Sequence, residues 1–115
     1  SLDGLAYWPG PRDVFFKGVE TNLKKEIERY RWVIHLDTAS SDKYDRSNPV
    51  RTEVYEQAVA VNQKILRSWS VHPQRFVIPN QNNFSHKIVM AIEIVAGILD
   101  GQSFEKISER VALKR

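Results

Sequence analysis

A helix that leads into a strand is encoded in residues 48–80, NPVRTEVYEQAVAVNQKILRSWSVHPQRFVIPN. Apolar side chains recur there every three or four residues, the period of one helix face, at Val54, Ala58, Val61, Ile65 and Trp69. Thr52 is the expected N-terminal cap of this helix, and His72 with Pro73 is its expected end. The run RFVIP, residues 75–79, is mostly apolar between polar neighbours, which predicts a buried strand.

Upstream of this unit, the sequence predicts a second helix and a second strand after a turn-rich beginning. Residues 1–20 hold three of the five glycines and the run Pro-Gly-Pro, so we expect turns there. Thr21 or Asn22 can cap a helix whose apolar residues follow at helical spacing. The run WVIHL, residues 32–36, predicts a buried strand that ends in a polar loop.

Downstream, residues 84–99 are apolar almost all round, which predicts a long helix buried on more than one side. Residues 101–115 predict a C-terminal helical tail. Because helices alternate with strands, we expect an α/β fold with parallel strands, flanking helices and ligand loops at the carboxyl ends of the strands. Two strands are too few to cover the helix at 84–99, so we expect more strands beside them.

The composition limits the function classes. The 115 residues, expected to form one domain over 1–115, carry 17 Lys and Arg against 14 Asp and Glu, a net charge of +3. This excess is small, which makes nucleic acid an unexpected partner. The absence of Cys excludes thiol catalysis, and the three His show no metal-ligand spacing, so we expect no bound metal. We expect no transmembrane segment, since the apolar run at 88–99 is shorter than the ~20 residues that cross a bilayer. The absence of Cys is compatible with a reducing compartment, and we expect a cytoplasmic location.

Several short motifs occur in an order that resembles a known family. They are SLDGLAYWPG (1–10), RY followed by VIHL (29–36), SNPVRTE (47–53), SW with HP (68–73) and FVIPN (76–80). Together they resemble the C-terminal half of a P-loop ATPase family described as AAA-type or kinase-like. Its relatives include nicotinamide-riboside kinase domains and the nucleotide-binding domain of a fly channel-translocation factor. The resemblance implies a partial P-loop NTPase fold, Rossmann-like and three-layered, without its N-terminal P-loop half.

The phosphate loop of that family is not found in this sequence. In the family, the motif Gly-x-x-x-x-Gly-Lys-Ser/Thr lies upstream of the segment that residues 1–10 resemble. None of the five glycines of this chain begins such a motif. The resemblance therefore implies that ATP or GTP with Mg²⁺ binds only in the complete domain, and that this chain is inactive alone. Its expected partner is the missing P-loop half or a self-associated copy.

The resemblance also implies residues on the nucleotide side. It places a lid over the phosphates at residues 40–51, where Arg51 and Arg46 would stabilise charge on the transferring phosphoryl group. Lys43 would bind the nucleotide in the same loop, and the amide of Asn80 would contact its base. The alternatives are a salt bridge from Arg51 to a neighbouring glutamate, solvated side chains in the loop, and a plain turn at Asn80.

Other candidates lie on the acceptor side. The carboxylate of Asp3 would orient a water or an acceptor hydroxyl, or else would cap the short helix that follows it. Tyr7 and Trp8 would stack on an acceptor ring, or else pack in the core or at its rim. Asp37 and Thr38 end the first strand and would contact the acceptor or the lid.

Two functions are compatible with these residues. The first is kinase-like phosphoryl transfer, or hydrolysis, of ATP or GTP, with an unidentified small molecule or water as acceptor. The alternative is a non-catalytic module that binds phosphate-bearing ligands through the basic loop. His72, although part of a motif, is interpreted as a structural corner rather than a catalytic residue.

Overall fold

The computed structural model describes residues 1–37, 49–79 and 84–112, with side chains from residue 54 onward in the second range. The elements in these ranges are α1 (Asp3–Ala6), α2 (Arg12–Gly18), α3 (Leu23–Arg29), β1 (Val33–Leu36), α4 (Pro49–Ser68), β2 (Arg75–Ile78), α5 (Phe84–Leu99) and α6 (Phe104–Ala112). The described residues fall into two compact units. One contains 1–33 with 49–75, and the other contains 34–37 with 76–79 and 84–112.

The two strands pair in parallel, as the alternation of helices and strands predicts. The backbone N–H of Val33 donates to the carbonyl oxygen of Gln74 at 3.1 Å. At the other end, the N–H of Asp37 donates to the carbonyl oxygen of Ile78 at 3.0 Å. From residue 33 to residue 37 the bonded residue moves from 74 to 78, so the two strands run in the same direction and are parallel. The chain has the expected α/β character, with a two-stranded sheet among the described residues.

The core of the first unit forms where α1 packs on α4. Leu2 and Ala6 are buried on one side of this contact, and Trp69 is buried just beyond the end of α4. The ring of Tyr30 meets the Trp69 indole edge-on, with 5.5 Å between centroids. At α3, the side chain of Asn22 accepts from the N–H of Lys25 at 2.9 Å, so Asn22 is the N-cap.

One helix and both ends of another differ from the sequence-based expectation; α4 ends at Ser68, before the expected end at His72 and Pro73. The turn-rich interpretation of residues 1–20 missed α2, in which Asp13 lies in the first turn and Lys17 in the last. These charges complement the helix dipole and stabilise a short helix that has no apolar period of its own. The helix α4 begins at Pro49, so Thr52 lies inside it rather than at its cap. A proline suits the first helical position, because its φ is already helical and it lacks the N–H that would stay unpaired.

The second unit has its core between α5 and α6. Its buried apolar side chains are Phe76, Ile78, Met90, Ile94, Ile107 and Val111. The rings of Phe76 and Phe104 lie 4.8 Å apart. The helix α6 confirms the expected helical tail over residues 104–112.

One side of α5 is exposed, and the expectation that this helix is buried on more than one side is wrong. Met90, Ile94 and Gly97 are buried, because α6 and the rest of the unit cover that side alone. The exposed side, here called the α5 apolar face, consists of Phe84, Ile88, Val89, Ile92, Val95 and Leu99. None of the helices in the described ranges has both the length and the hydropathy that crossing a membrane requires.

The contact between α5 and α6 depends on the missing side chain of Gly97. A Cβ at this position would lie 2.7 Å from Cγ1 of Ile107 and 2.8 Å from a guanidinium nitrogen of Arg110. We expect Gly97→Ala to lower the free energy of unfolding by about 1–3 kcal/mol, because the helices must separate to admit the methyl group. Urea denaturation followed by circular dichroism measures this change.

The matched control is Gly18→Ala, at the end of α2, where a Cβ would meet no atom within 4 Å. This variant should be as stable as the parent chain or slightly more stable. Equal stability of the two alanine variants would show that α5 and α6 are not in close contact at Gly97.

Candidate functional site

The structure describes the side chains of four predicted site residues: Asp3, Tyr7, Trp8 and Asp37. Arg46, Lys43, Thr38 and Asn80 lie outside the described residues. Arg51 lies in the first turn of α4, and its side chain is outside them too. Of the predicted lid at 40–51, only 49–51 is described, as part of this helix.

Asp3 is bound to the buried indole of Trp69. Its Oδ1 accepts a hydrogen bond from Nε1 of Trp69 at 2.6 Å, which links α1 to the end of α4. Leu2 occupies the N-cap position of α1 without a side-chain cap, so the alternative in which Asp3 caps this helix is wrong. One carboxylate oxygen thus has a structural role, and catalysis by Asp3 stays a prediction.

Tyr7 and Trp8 follow α1 at the protein surface. The Tyr7 side chain is 68% exposed. Trp8 is 40% exposed, its Nε1 donates to the carbonyl oxygen of Pro11 at 3.1 Å, and its ring lies 5.9 Å from that of Phe15. The indole is therefore fixed at the rim of the first unit, and its stacking on a ligand ring stays a prediction.

Trp8 also lines a pocket of about 290 Å³ that sequence reasoning did not find. This basic pocket is lined by Leu5, Ala6, Trp8, Gly10, Arg12, Lys64, Arg67 and Ser68. Lys64, Arg67 and Ser68 lie three and four residues apart on one side of α4, and Arg12 begins α2. The pocket thus brings three cationic side chains together and includes no carboxylate.

The three cations are accessible. Arg12, Lys64 and Arg67 are all exposed, and within the part of the chain that the structure describes none of them forms an ion pair. The sequence signal for them was present but weak: two basic residues three apart on α4, away from its apolar stripe. An exposed basic pair on a helix is usually solvated, and only the fold adds Arg12 and Trp8 to it.

The turn after α4 confirms the structural interpretation of His72. The buried imidazole accepts from the N–H of Gln74 through Nδ1 at 3.1 Å. Its Nε2 lies 2.5 Å from the carbonyl oxygen of Tyr30, so this nitrogen carries the hydrogen and donates it. Both ring nitrogens are therefore used in holding the turn.

The carboxyl end of β1 is attached to α5. The buried Lys87 donates through Nζ to the backbone carbonyl of Asp37. Asp37 is partly buried and takes part in a further interaction. Its predicted contact with an acceptor or lid is not tested by this arrangement and stays a prediction.

Among the residues with described positions, no three His, Asp or Glu side chains lie close enough together to hold a metal ion. Comparison of the chain with protein-family models, with curated proteins and with solved structures gives no match. The resemblance to P-loop ATPases therefore depends on the motifs in the sequence alone.

The structural role of Asp3 can be measured as the contribution of its bond with Trp69 to stability. Asp3→Ala removes the acceptor of a buried indole N–H, and we expect a loss of about 1–3 kcal/mol in the free energy of unfolding. Asp3→Asn keeps an oxygen at the same position, so its loss should be smaller. Urea denaturation followed by tryptophan fluorescence measures both.

In the paired control, Trp69→Phe removes the donor instead of the acceptor. In this background Asp3→Ala should cost clearly less than in the parent chain, because the bond is already lost. Additive effects of the two substitutions would contradict a direct bond.

Proposed function

We propose that this chain is the C-terminal part of a kinase-like P-loop NTPase, which transfers or hydrolyses the γ-phosphoryl group of ATP or GTP with Mg²⁺. The observation that supports this best is the α5 apolar face, in a chain whose described residues form a parallel sheet of only two short strands. The order of the sequence motifs, which resembles that of P-loop ATPases, supports the choice of this family. We also propose a cytoplasmic location, with which the absence of Cys is compatible.

The α5 apolar face indicates a missing layer. Every large side chain on it is apolar, and Ile92 at its centre is 60% exposed. Each Å² of such surface costs roughly 25 cal/mol in water. Parallel sheets are normally covered by helices on both sides and have more than two strands, so a larger sheet would bury this face. A P-loop half supplies such strands, and we propose it as the partner in preference to a second copy of the chain.

This part of the domain would supply the lid and the acceptor side. In the proposal, Arg51 and Arg46 stabilise the transferring phosphoryl group, which carries charge that a guanidinium binds through paired hydrogen bonds. Nucleotide contacts are assigned to Lys43 and Asn80, and acceptor contacts to Asp3, Tyr7, Trp8, Asp37 and Thr38. The described residues offer no carboxylate cluster for Mg²⁺, so the proposal assigns the ion and the phosphate loop to the P-loop half.

Nucleotide binding tests directly whether the phosphate loop is supplied by a P-loop half. We expect calorimetric titration of ATP–Mg²⁺ or GTP–Mg²⁺ into the chain alone to give no tight, Mg²⁺-dependent binding, because it has no Gly-Lys phosphate loop. Addition of a polypeptide that carries this loop and adjoins the chain in its gene should produce binding. Tight binding to the chain alone would contradict the proposal.

The α5 apolar face can be tested in the same titration. Ile92→Glu places a charge at the centre of the face, so the mixture should lose nucleotide binding while the chain itself stays folded. Val71→Glu, at a 60% exposed position in the turn after α4, is the matched control and should have no effect. Equal binding by the two variants would show that α5 does not contact the P-loop half.

The role of Arg51 is tested in the reconstituted domain. We expect Arg51→Ala to lower kcat on the order of 100-fold, as is typical when one donor to a transition-state charge is removed. Arg31→Ala, at an exposed position before β1, is the control and should leave kcat unchanged. Unchanged turnover in the Arg51 variant would remove this residue from the mechanism.

A further inference from the structure

The basic pocket holds three positive charges without a partner of opposite sign among the described residues. Lys64 and Arg67 are one turn apart on α4, and Arg12 approaches from α2. Like charges at this spacing destabilise a helix by a few tenths of a kcal/mol. A bound anion would offset the repulsion, so the charges of the pocket favour a negatively charged ligand.

The donor set favours phosphate over other anions. A guanidinium presents a planar fork that matches two phosphate oxygens, and an ammonium adds a compact charge. The pocket has two guanidinium groups, of Arg12 and Arg67, and one ammonium group, of Lys64. A dianionic phosphate monoester can engage all three, whereas a carboxylate has only two oxygens to share among them.

The remaining walls favour a small molecule with a ring. Leu5, Ala6 and Trp8 provide apolar surface beside the cations, and the indole N–H of Trp8 is already bound to Pro11. Trp8 therefore offers the ligand a hydrophobic ring rather than a hydrogen-bond donor. The volume of about 290 Å³ is near the lower end for small-molecule sites, which begin at roughly 300 Å³.

We propose that the basic pocket is a binding site for the phosphate monoester of a small ring compound. It lies entirely within the unit formed by residues 1–33 and 49–75 and uses none of the predicted lid at 40–51. The assignment depends on this pocket alone and is independent of nucleotide turnover. It gives the alternative function, a module that binds phosphate-bearing ligands, a definite location.

Titration of the full chain with adenosine monophosphate, adenosine and inorganic phosphate tests the proposal. We expect adenosine monophosphate to bind at least 10-fold more tightly than either of the other two, since only it offers both the phosphate and the ring. In a two-dimensional NMR spectrum, the indole N–H signal of Trp8 should shift while that of the buried Trp69 stays in place. Equal binding of adenosine and its monophosphate would overturn the proposal.

Substitutions then locate the site. Arg12→Ala and Arg67→Ala should each weaken binding of adenosine monophosphate about 10-fold, and Arg67→Lys should weaken it less. Lys24→Ala, an exposed cation on α3 outside the pocket, is the control and should bind as the parent chain does. Circular dichroism checks that the variants are folded. Unchanged binding by both alanine variants would overturn the assignment.

Vesicles of phosphatidylcholine with 5% phosphatidylinositol phosphate distinguish a free ligand from a lipid headgroup. We expect no binding to these vesicles beyond that to phosphatidylcholine alone, because the pocket is of small-molecule size. Vesicle binding without binding of adenosine monophosphate would overturn the proposal in favour of a membrane site.

Discussion

The hydrogen bond from Trp69 to Asp3 organises the first unit. It joins the end of α4 to α1 at 2.6 Å, over a sequence separation of 66 residues. The same indole meets the rings of Tyr30 and His72, so the turn after α4 and the segment before β1 are fixed by one buried side chain. The walls of the basic pocket come from α1, α4 and the residues that follow α1, so this bond joins two of the elements that form the pocket.

The second unit is governed by a different constraint, the two-sided character of α5. One side meets α6 through Gly97, and the other presents six large apolar side chains to solvent. Local packing explains the first side completely. The second has no explanation within the described residues, and it is the reason to assign the chain to a larger sheet. The two proposals depend on different observations: one on the exposed face of α5, and the other on a pocket formed by α1, α2 and α4.

Elements with a strong local signal were predictable from the sequence. The apolar runs predicted β1 and β2, and the almost uniform hydropathy predicted α5 with its bounds. Thr21 or Asn22 was expected to cap α3, and Asn22 does so. Short-range charge effects were missed at α2, where two residues complement the dipole but no apolar stripe exists. The burial of α5 was overestimated, because hydropathy shows that a helix face is apolar but not whether another element of the chain covers it. The cations of the pocket were missed for a related reason: a long-range contact brings Arg12 to α4, and no spacing in the sequence encodes it.

The attachment of β1 to α5 has a consequence for how this protein can change in evolution. Lys87 donates to the backbone carbonyl of residue 37 and not to its side chain. Every amino acid has that carbonyl, so replacement of Asp37 by another residue leaves the acceptor in place. The lysine is the member of the pair whose identity matters. The end of β1 can therefore acquire a new side chain while the strand remains fixed to the helix.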